Sequence, residues 1–171
     1  MVLQEVRFPS SLSYHTDQVF SSFDSAGYSI WRVDFKYNEE LTQTFMSSNQ
    51  IGGYFNRLEA SRKYLFGSVG VLGTTNNSVI SGVFILRGLE YKPVIDVAPD
   101  WESYVYTKID LSKEADKAFF EAALAWDLEI DGKKWVDGKN VSSRFLVAVV
   151  FTDDDTPSSS KSNGWGRKSR I

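Results

Sequence analysis

"YSIWRVDFKYNEELTQTFMSSNQIGGYFNRL", residues 28–58, changes its apolar period midway, and that change decides the fold. Up to residue 37 it alternates. Tyr28, Ile30, Arg32, Asp34 and Lys36 fall on one face; Ser29, Trp31, Val33, Phe35 and Tyr37 fall on the other, which is nearly all apolar. This is the pattern of a half-buried strand. Asn38 then offers a helix cap, and Glu39 and Glu40 sit in a first turn where the positive end of the helix dipole favours carboxylates. On a helical wheel Leu41, Phe45, Ile51, Phe55, Leu58, Leu65 and Phe66 share one broad face, which predicts a helix from Glu39 to about Phe66.

Two adjacent glycines interrupt that helix, although each costs about 0.8–1 kcal/mol relative to Ala in a helix interior. Ser48 and Gly52 share the apolar face, four residues apart. Small residues there let a backbone approach closely, so they mark where the helix lies nearest the sheet or a second helix. Gly53 falls on the other side and gains nothing from that argument. It marks a kink, a break between two helices, or an exposed spot where a partner docks. A phosphate-cradling loop is excluded, because no G-x-x-x-x-G-K-[ST] pattern surrounds the pair.

Residues 67–88 give two β-rich runs around Gly73-Thr74-Thr75-Asn76-Asn77, the composition of a hairpin. Residues 102–110, "ESYVYTKID", suit a further strand. From Ser112 to Asp127 an amphipathic helix is expected, with Phe119, Ala122, Ala123 and Trp126 as its buried stripe. "KKWVDGKNV", residues 133–141, follows Asp131-Gly132 as a short strand. The expected fold class is α+β, a ferredoxin-like βαββαβ plan with an antiparallel sheet of four or five strands and helices packed on one face. Residues 19–141 form the domain. Residues 1–18 are a separate N-terminal segment, and 142–171 a polar tail expected to be disordered. Within that tail, "RFLVAVVF" at 144–151 either pairs with the sheet or is an aggregation hazard.

The 171 residues, 42% hydrophobic and 15% aromatic, suffice for one ordinary domain with a core. With no cysteine, disulfides, thiolate metal sites and cysteine nucleophiles are excluded, which fits a reducing compartment. His15 is the single histidine, so two-histidine zinc sites need a second chain. No cofactor is implied. No secretory signal or bilayer-spanning run is apparent, so a cytoplasmic protein without membrane association is expected. The sequons at Asn76 and Asn140 are then read as chance matches. Residues 1–141 carry 14 Lys and Arg against 19 Asp and Glu, and residues 142–171 carry 5 against 3. An acidic body disfavours RNA or DNA as the main partner, because nucleic-acid binding rests on phosphate neutralisation.

The stretch from Tyr28 to Val69, with "GTTNNSVISGVFILRG" and "DVAPDWESYVYTKID", resembles the C-terminal domain of the gamma subunit of translation elongation factor 1. The resemblance runs from about Val19 to Asn140. Its most specific pieces are "EELTQTFMS", "GTTNNSVISG" and "APDWESY". It implies a compact α/β domain with an antiparallel sheet. It also implies membership of the guanine-nucleotide-exchange complex that serves the factor delivering aminoacyl-tRNA. In that family the gamma subunit is regarded as a scaffold, with exchange residing in other subunits. Association with the beta-type subunit is carried mainly by an N-terminal glutathione-transferase-like domain, to which these residues show no match. The family usually stops soon after the "VDGK" seen at Val136–Lys139, so residues 141–171 have no recognised counterpart. A truncated, non-functional paralogue is one alternative reading.

Asp96, Asp100 and Glu102 invite an acid/base reading, but nearness in sequence does not set the spacing such chemistry needs across a substrate, and surface carboxylates commonly solvate a loop. Trp101 and Tyr104 beside them suit either a protein contact or a buried anchor for the segment. Candidate protein-binding residues are therefore Gly53, Asp96, Asp100, Trp101, Glu102 and Tyr104, with Ser48 and Gly52 structural. Arg62 is read as a side chain whose stem lies along the core and whose head reaches water. Three function classes follow. A non-catalytic scaffold within the elongation factor 1 complex is favoured. An RNA-binding module on a ferredoxin-like sheet is the alternative, although "ISGVFILRG" supplies Phe84 and Arg87 without the usual aromatic motif. An enzyme acting on a small-molecule substrate is least favoured.

Overall fold

The period-two stretch becomes the strand β1 (Tyr28–Phe35), whose neighbours on both sides are antiparallel. In the computed structural model, residues 23–141 are described. The segment 1–18, His15, the tail 142–171 and its run 144–151 all lie outside them. The remaining strands are β2 (Leu65–Thr74), β3 (Asn77–Arg87), β4 (Tyr104–Lys108), β5 (Glu129–Ile130) and β6 (Lys133–Val141). The helices are α1 (Thr44–Arg57), the single turn α2 (Lys92–Ile95) and α3 (Glu114–Ala125), and 3-10 turns cover Asn38–Glu40, Glu59–Tyr64 and Trp101–Ser103.

The six strands form one antiparallel sheet in the order β4-β1-β3-β2-β6-β5. β1 and β2 flank β3 and are joined through α1, which is the split βαβ of the ferredoxin-like plan. The α+β class and that plan hold, with six strands in place of four or five. The added strand is β5, whose turn to β6 at Asp131-Gly132 places both residues at positive φ.

The helices lie on both faces of the sheet, correcting the expectation of one. Ile51, Tyr54, Phe55 and Leu58 pack with Trp31, Val33, Phe35, Val69, Val71, Phe84 and Leu86 on one face. Phe120, Ala123 and Leu124 pack with Ile30, Phe66, Val83, Ile85 and Leu128 on the other. The β3–β4 connection returns to the α1 face, where its Val94, Ile95 and Ala98 are buried. That connection stands where the second helix of the simple plan belongs, and β4 is its fourth strand. α3 therefore comes after the split βαβ unit, and its return strand β6 extends the sheet beside β2. Covered on both sides, β2 is buried from Leu65 to Gly73. Each large apolar side chain removed from water there contributes about 1.5–3 kcal/mol before entropy is counted.

The first helix is shorter than expected. It starts at Thr44, ends at Arg57, and Leu65 and Phe66 open β2 instead of closing a helix. Asn38 does not cap it. The Asn38 Nδ2 donates to the Phe35 carbonyl and its Oδ1 accepts from the Ile80 backbone N–H, tying the end of β1 to β3. In α3 Ala123 is buried as expected, and the other buried residues are Phe120 and Leu124, with Phe119 and Ala122 of the expected stripe only partly buried. Trp126 stands beyond the helix at φ 60°, and its Nε1 donates to Ser68 Oγ (3.2 Å) and Asn140 Oδ1 (3.3 Å). It stacks on Trp135, whose ring lies across Gly70 and Gly138, paired residues of β2 and β6 where a Cβ would overlap the indole. No helix among the described residues is long and apolar enough to cross a membrane.

Candidate functional site

α1 runs unbroken through Gly52 and Gly53, and the two glycines meet different neighbours. A Cβ on Gly52 would stand 3.0 Å from Lys139 Cε and 3.2 Å from its Cδ, so the helix lies close over the aliphatic stem of a β6 lysine. Ser48, one turn earlier, is buried. A Cβ on Gly53 would stand 3.1 Å from Arg57 Nη1. Gly53 thus leaves room for the Arg57 guanidinium to lie back along its own helix, and from there it reaches Asp100. Arg57 Nε donates to Oδ1 at 2.7 Å and Nη2 to Oδ2 at 2.5 Å, a two-pronged pair between α1 and the β3–β4 connection. Donation to Asp100 pushes the Arg57 pKa further up.

Beside this pair the alternation of β4 sets Tyr104 and Tyr106 on the α1 face, opposite Phe35 and Val33. Tyr54, one turn before Leu58, stacks on Tyr104 with ring centroids 4.3 Å apart. The Tyr106 hydroxyl donates to the Trp101 carbonyl at 3.2 Å, so it accepts the proton of the Tyr54 hydroxyl at 2.6 Å. The Tyr104 hydroxyl is buried without a partner of hydrogen-bond geometry, although Gln50 adjoins it. Burial raises all three phenol pKa values well above the ordinary tyrosine range. Tyr91 stacks on Tyr106 at 4.8 Å, and the Lys92 ammonium stands 5.6 Å from the Trp101 ring.

The structure therefore brings Gly53, Asp100, Trp101 and Tyr104 to one seam. Glu102 occupies the same 3-10 turn as Trp101; its side chain is exposed, and its carbonyl accepts from Lys36 Nζ at 2.5 Å. Asp96 lies further back, exposed, at the end of α2. Trp101 is partly buried and Tyr104 fully buried. Arg62 is exposed and pairs with Glu59 at 3.2 Å. Tyr54, Arg57, Tyr91 and Tyr106 were not singled out from sequence. The alternation in "SYVY" was the available signal for Tyr106; the contact between Tyr54 and β4 joins residues about fifty positions apart and leaves no local pattern.

The chemistry of the seam is that of an anchor. Asp100 is engaged by Arg57, and the phenols stay protonated at neutral pH. Among the described residues, no three or more His, Cys, Asp or Glu are grouped to hold a metal ion. A cleft of about 590 Å³ lies elsewhere, lined by Phe23, Tyr28, Ile30, Lys108 and Ile109 among others, and none of the seam residues borders it. Replacing Arg57 with Ala should lower stability by about 1 kcal/mol, since the paired side chains are 40% and 31% exposed and partly screened. Thermal unfolding at low and high salt checks this, with the deficit shrinking as salt rises. An unchanged midpoint at low salt would show the pair to be energetically idle.

The family model described as "Elongation factor 1 gamma, conserved domain" matches residues 10–90. Elongation factor 1-gamma of Schizosaccharomyces pombe is 52% identical over 121 residues, 70% of this chain and 30% of that protein. Elongation factor 1-gamma 2 of Saccharomyces cerevisiae is 54% identical over 116 residues, 66% of this chain and 28% of that one. Elongation factor 1-gamma-A of Xenopus laevis is 45% identical over 131 residues, 75% and 28% of the two chains. The chain thus spans about 30% of the length of these curated relatives. At that level of identity over about 70% of the chain, along a split βαβ sheet of the expected class, these residues match the conserved C-terminal domain of elongation factor 1-gamma.

Proposed function

We propose that residues 19–141 act as a non-catalytic scaffold of the elongation factor 1 nucleotide-exchange complex, supporting translation elongation in the cytoplasm. The observation that carries this reading is that the seam's charged pair and two of its three phenols are engaged with one another, while the third, Tyr104, is buried. Asp100 pairs with Arg57, the Tyr54 hydroxyl donates to that of Tyr106, and the Tyr106 hydroxyl donates to the Trp101 carbonyl. Such a site has no poised acid or base, and it holds its outer residues rigidly. Asp96, Trp101 and Glu102 are the residues offered to another subunit, with Gly53, Asp100 and Tyr104 holding that surface in shape. Partly exposed aromatics beside charge are common at protein interfaces.

Capture of tagged full-length chain from cytosolic extract, with and without ribonuclease, tests the reading. Elongation factor 1 subunits should be recovered equally in both. Loss after ribonuclease would favour an RNA-binding role, and absence of subunits from both would end the scaffold proposal. A Trp101→Ala, Glu102→Lys variant should recover several-fold less if this seam is the contact.

A further inference from the structure

The first turn of α1 is inside out. Its buried side chains are the serines Ser47 and Ser48, while Phe45 is 58% exposed and Met46 52% exposed. Amphipathic helices bury their large apolar residues, and here two of them face water beside two buried hydroxyls. Tyr37, 44% exposed, adds a third apolar surface a few residues earlier, held by an edge-to-face contact with Phe35 at 5.8 Å. Met46 is steadied by Thr42, whose Oγ1 donates to the sulfur at 3.7 Å. Between Tyr37 and Phe45, the exposed turn Asn38–Glu40 carries Glu39 and Glu40, and neither makes an ion pair among the described residues. The three apolar side chains thus leave about half of their surface uncovered, and the two carboxylates are without an ion-pair partner among the described residues. The patch is also separate from the seam: Phe45 and Arg57 are twelve residues apart on one helix, roughly 18 Å along its axis.

We infer that Tyr37, Phe45 and Met46, flanked by Glu39 and Glu40, form a docking surface for a partner-protein segment that carries an apolar anchor between Lys or Arg residues. The inference rests on the scaffold reading for the partner being a protein. Its chemistry follows from the patch. Aromatic and methionine side chains make an adaptable apolar centre, and unpaired carboxylates at its rim select a basic partner and speed its encounter.

The test uses the full-length chain and two dye-labelled synthetic amphipathic helices, one with leucines on one face and lysines on the other, the second with glutamates replacing the lysines. Fluorescence anisotropy should show the lysine peptide binding at least tenfold more tightly than the glutamate peptide. The double substitution Phe45→Ser, Met46→Ser should weaken the lysine peptide tenfold or more with circular dichroism unchanged, since both side chains are exposed. Glu39→Lys, Glu40→Lys should weaken it more than Asp116→Lys, Glu121→Lys, which makes the same charge change on α3. Equal losses from the two charge swaps would reduce the effect to net charge and overturn the inference. Self-association abolished by the Phe45/Met46 substitution would also overturn it, in favour of a second copy. Unchanged peptide affinity in that variant, with elongation factor subunits still captured at the original level, would overturn this surface and leave the scaffold reading standing.

Discussion

Replacing Gly82 with Ala should destabilise the domain by about 3 kcal/mol or more, a large part of the 5–15 kcal/mol that holds a domain of this size. Gly82 lies in β3 at the centre of the sheet, paired with Val33 on one side and Val69 on the other. A Cβ there would overlap the Ser68 carbonyl oxygen and approach Val69 Cα to 2.5 Å. Those are backbone atoms of β2, itself buried on both faces, so no rotamer change relieves the overlap and two strands must part. Gly88→Ala is the control. Gly88 has φ +98° and nothing within 4 Å of its missing Cβ, so Ala there meets backbone strain alone, roughly 1–2 kcal/mol. Urea unfolding of both variants ranks them. A Gly82→Ala midpoint equal to that of Gly88→Ala would mean the sheet yields at that point, contrary to its packing.

The same comparison shows which parts of the fold were legible. β1, the β2–β3 hairpin and β6 each carry their reason locally, in alternation and in turn residues such as Asn76 and Gly132. Gly82 carries no such reason, because what forbids a side chain there is a strand ten or more residues away. The end of α1 was misplaced for a related cause. No Gly or Pro follows Arg57, and Leu65 and Phe66 continue the apolar wheel by chance while pairing as a strand. A buried helical face and the start of a buried strand look alike when read as apolar positions. Phe45 misled the wheel in the opposite direction, since the helix buries Ser47 and Ser48 in its place. Nor does an amphipathic stripe say which side of a sheet it will cover, so α3 was assigned to the wrong face.

The seam divides in the same way. Asp100, Trp101 and Tyr104 drew attention as a dense group of charge and aromatic character on a connection. Arg57 did not, because an arginine at the end of a helix is ordinary until its partner is known. Gly53 was recognised as unexplained, and its explanation is steric: it clears the path of a side chain one turn ahead. That path requires Asp100 to stand opposite α1, which only the β3–β4 connection arranges.

Alkaline solution should destabilise the domain through the buried Tyr54 and Tyr104 and the partly buried Tyr106 of that seam. An unfolded tyrosine ionises near pH 10, whereas burial of Tyr54, Tyr104 and Tyr106 raises their folded pKa values above that. The folded state then holds protons the unfolded chain has released, so stability falls as pH climbs past 10 and is fully present below it. Each tyrosine contributes about 1.4 kcal/mol of loss by pH 11, and the three together about 4 kcal/mol. Tyr106 is the least buried of the three and also accepts the Tyr54 hydroxyl proton, which holds its own rise back. Urea midpoints between pH 8 and pH 11 should therefore drop steeply, while a Tyr54→Phe, Tyr106→Phe variant falls about one third as fast. That variant loses some stability at pH 8 through the missing hydrogen bonds, so its curve should start lower and cross the unsubstituted one near pH 11. Parallel curves would assign the alkaline loss to groups outside the seam, and would mean that these phenols reach solvent more readily than their packing against α1 allows.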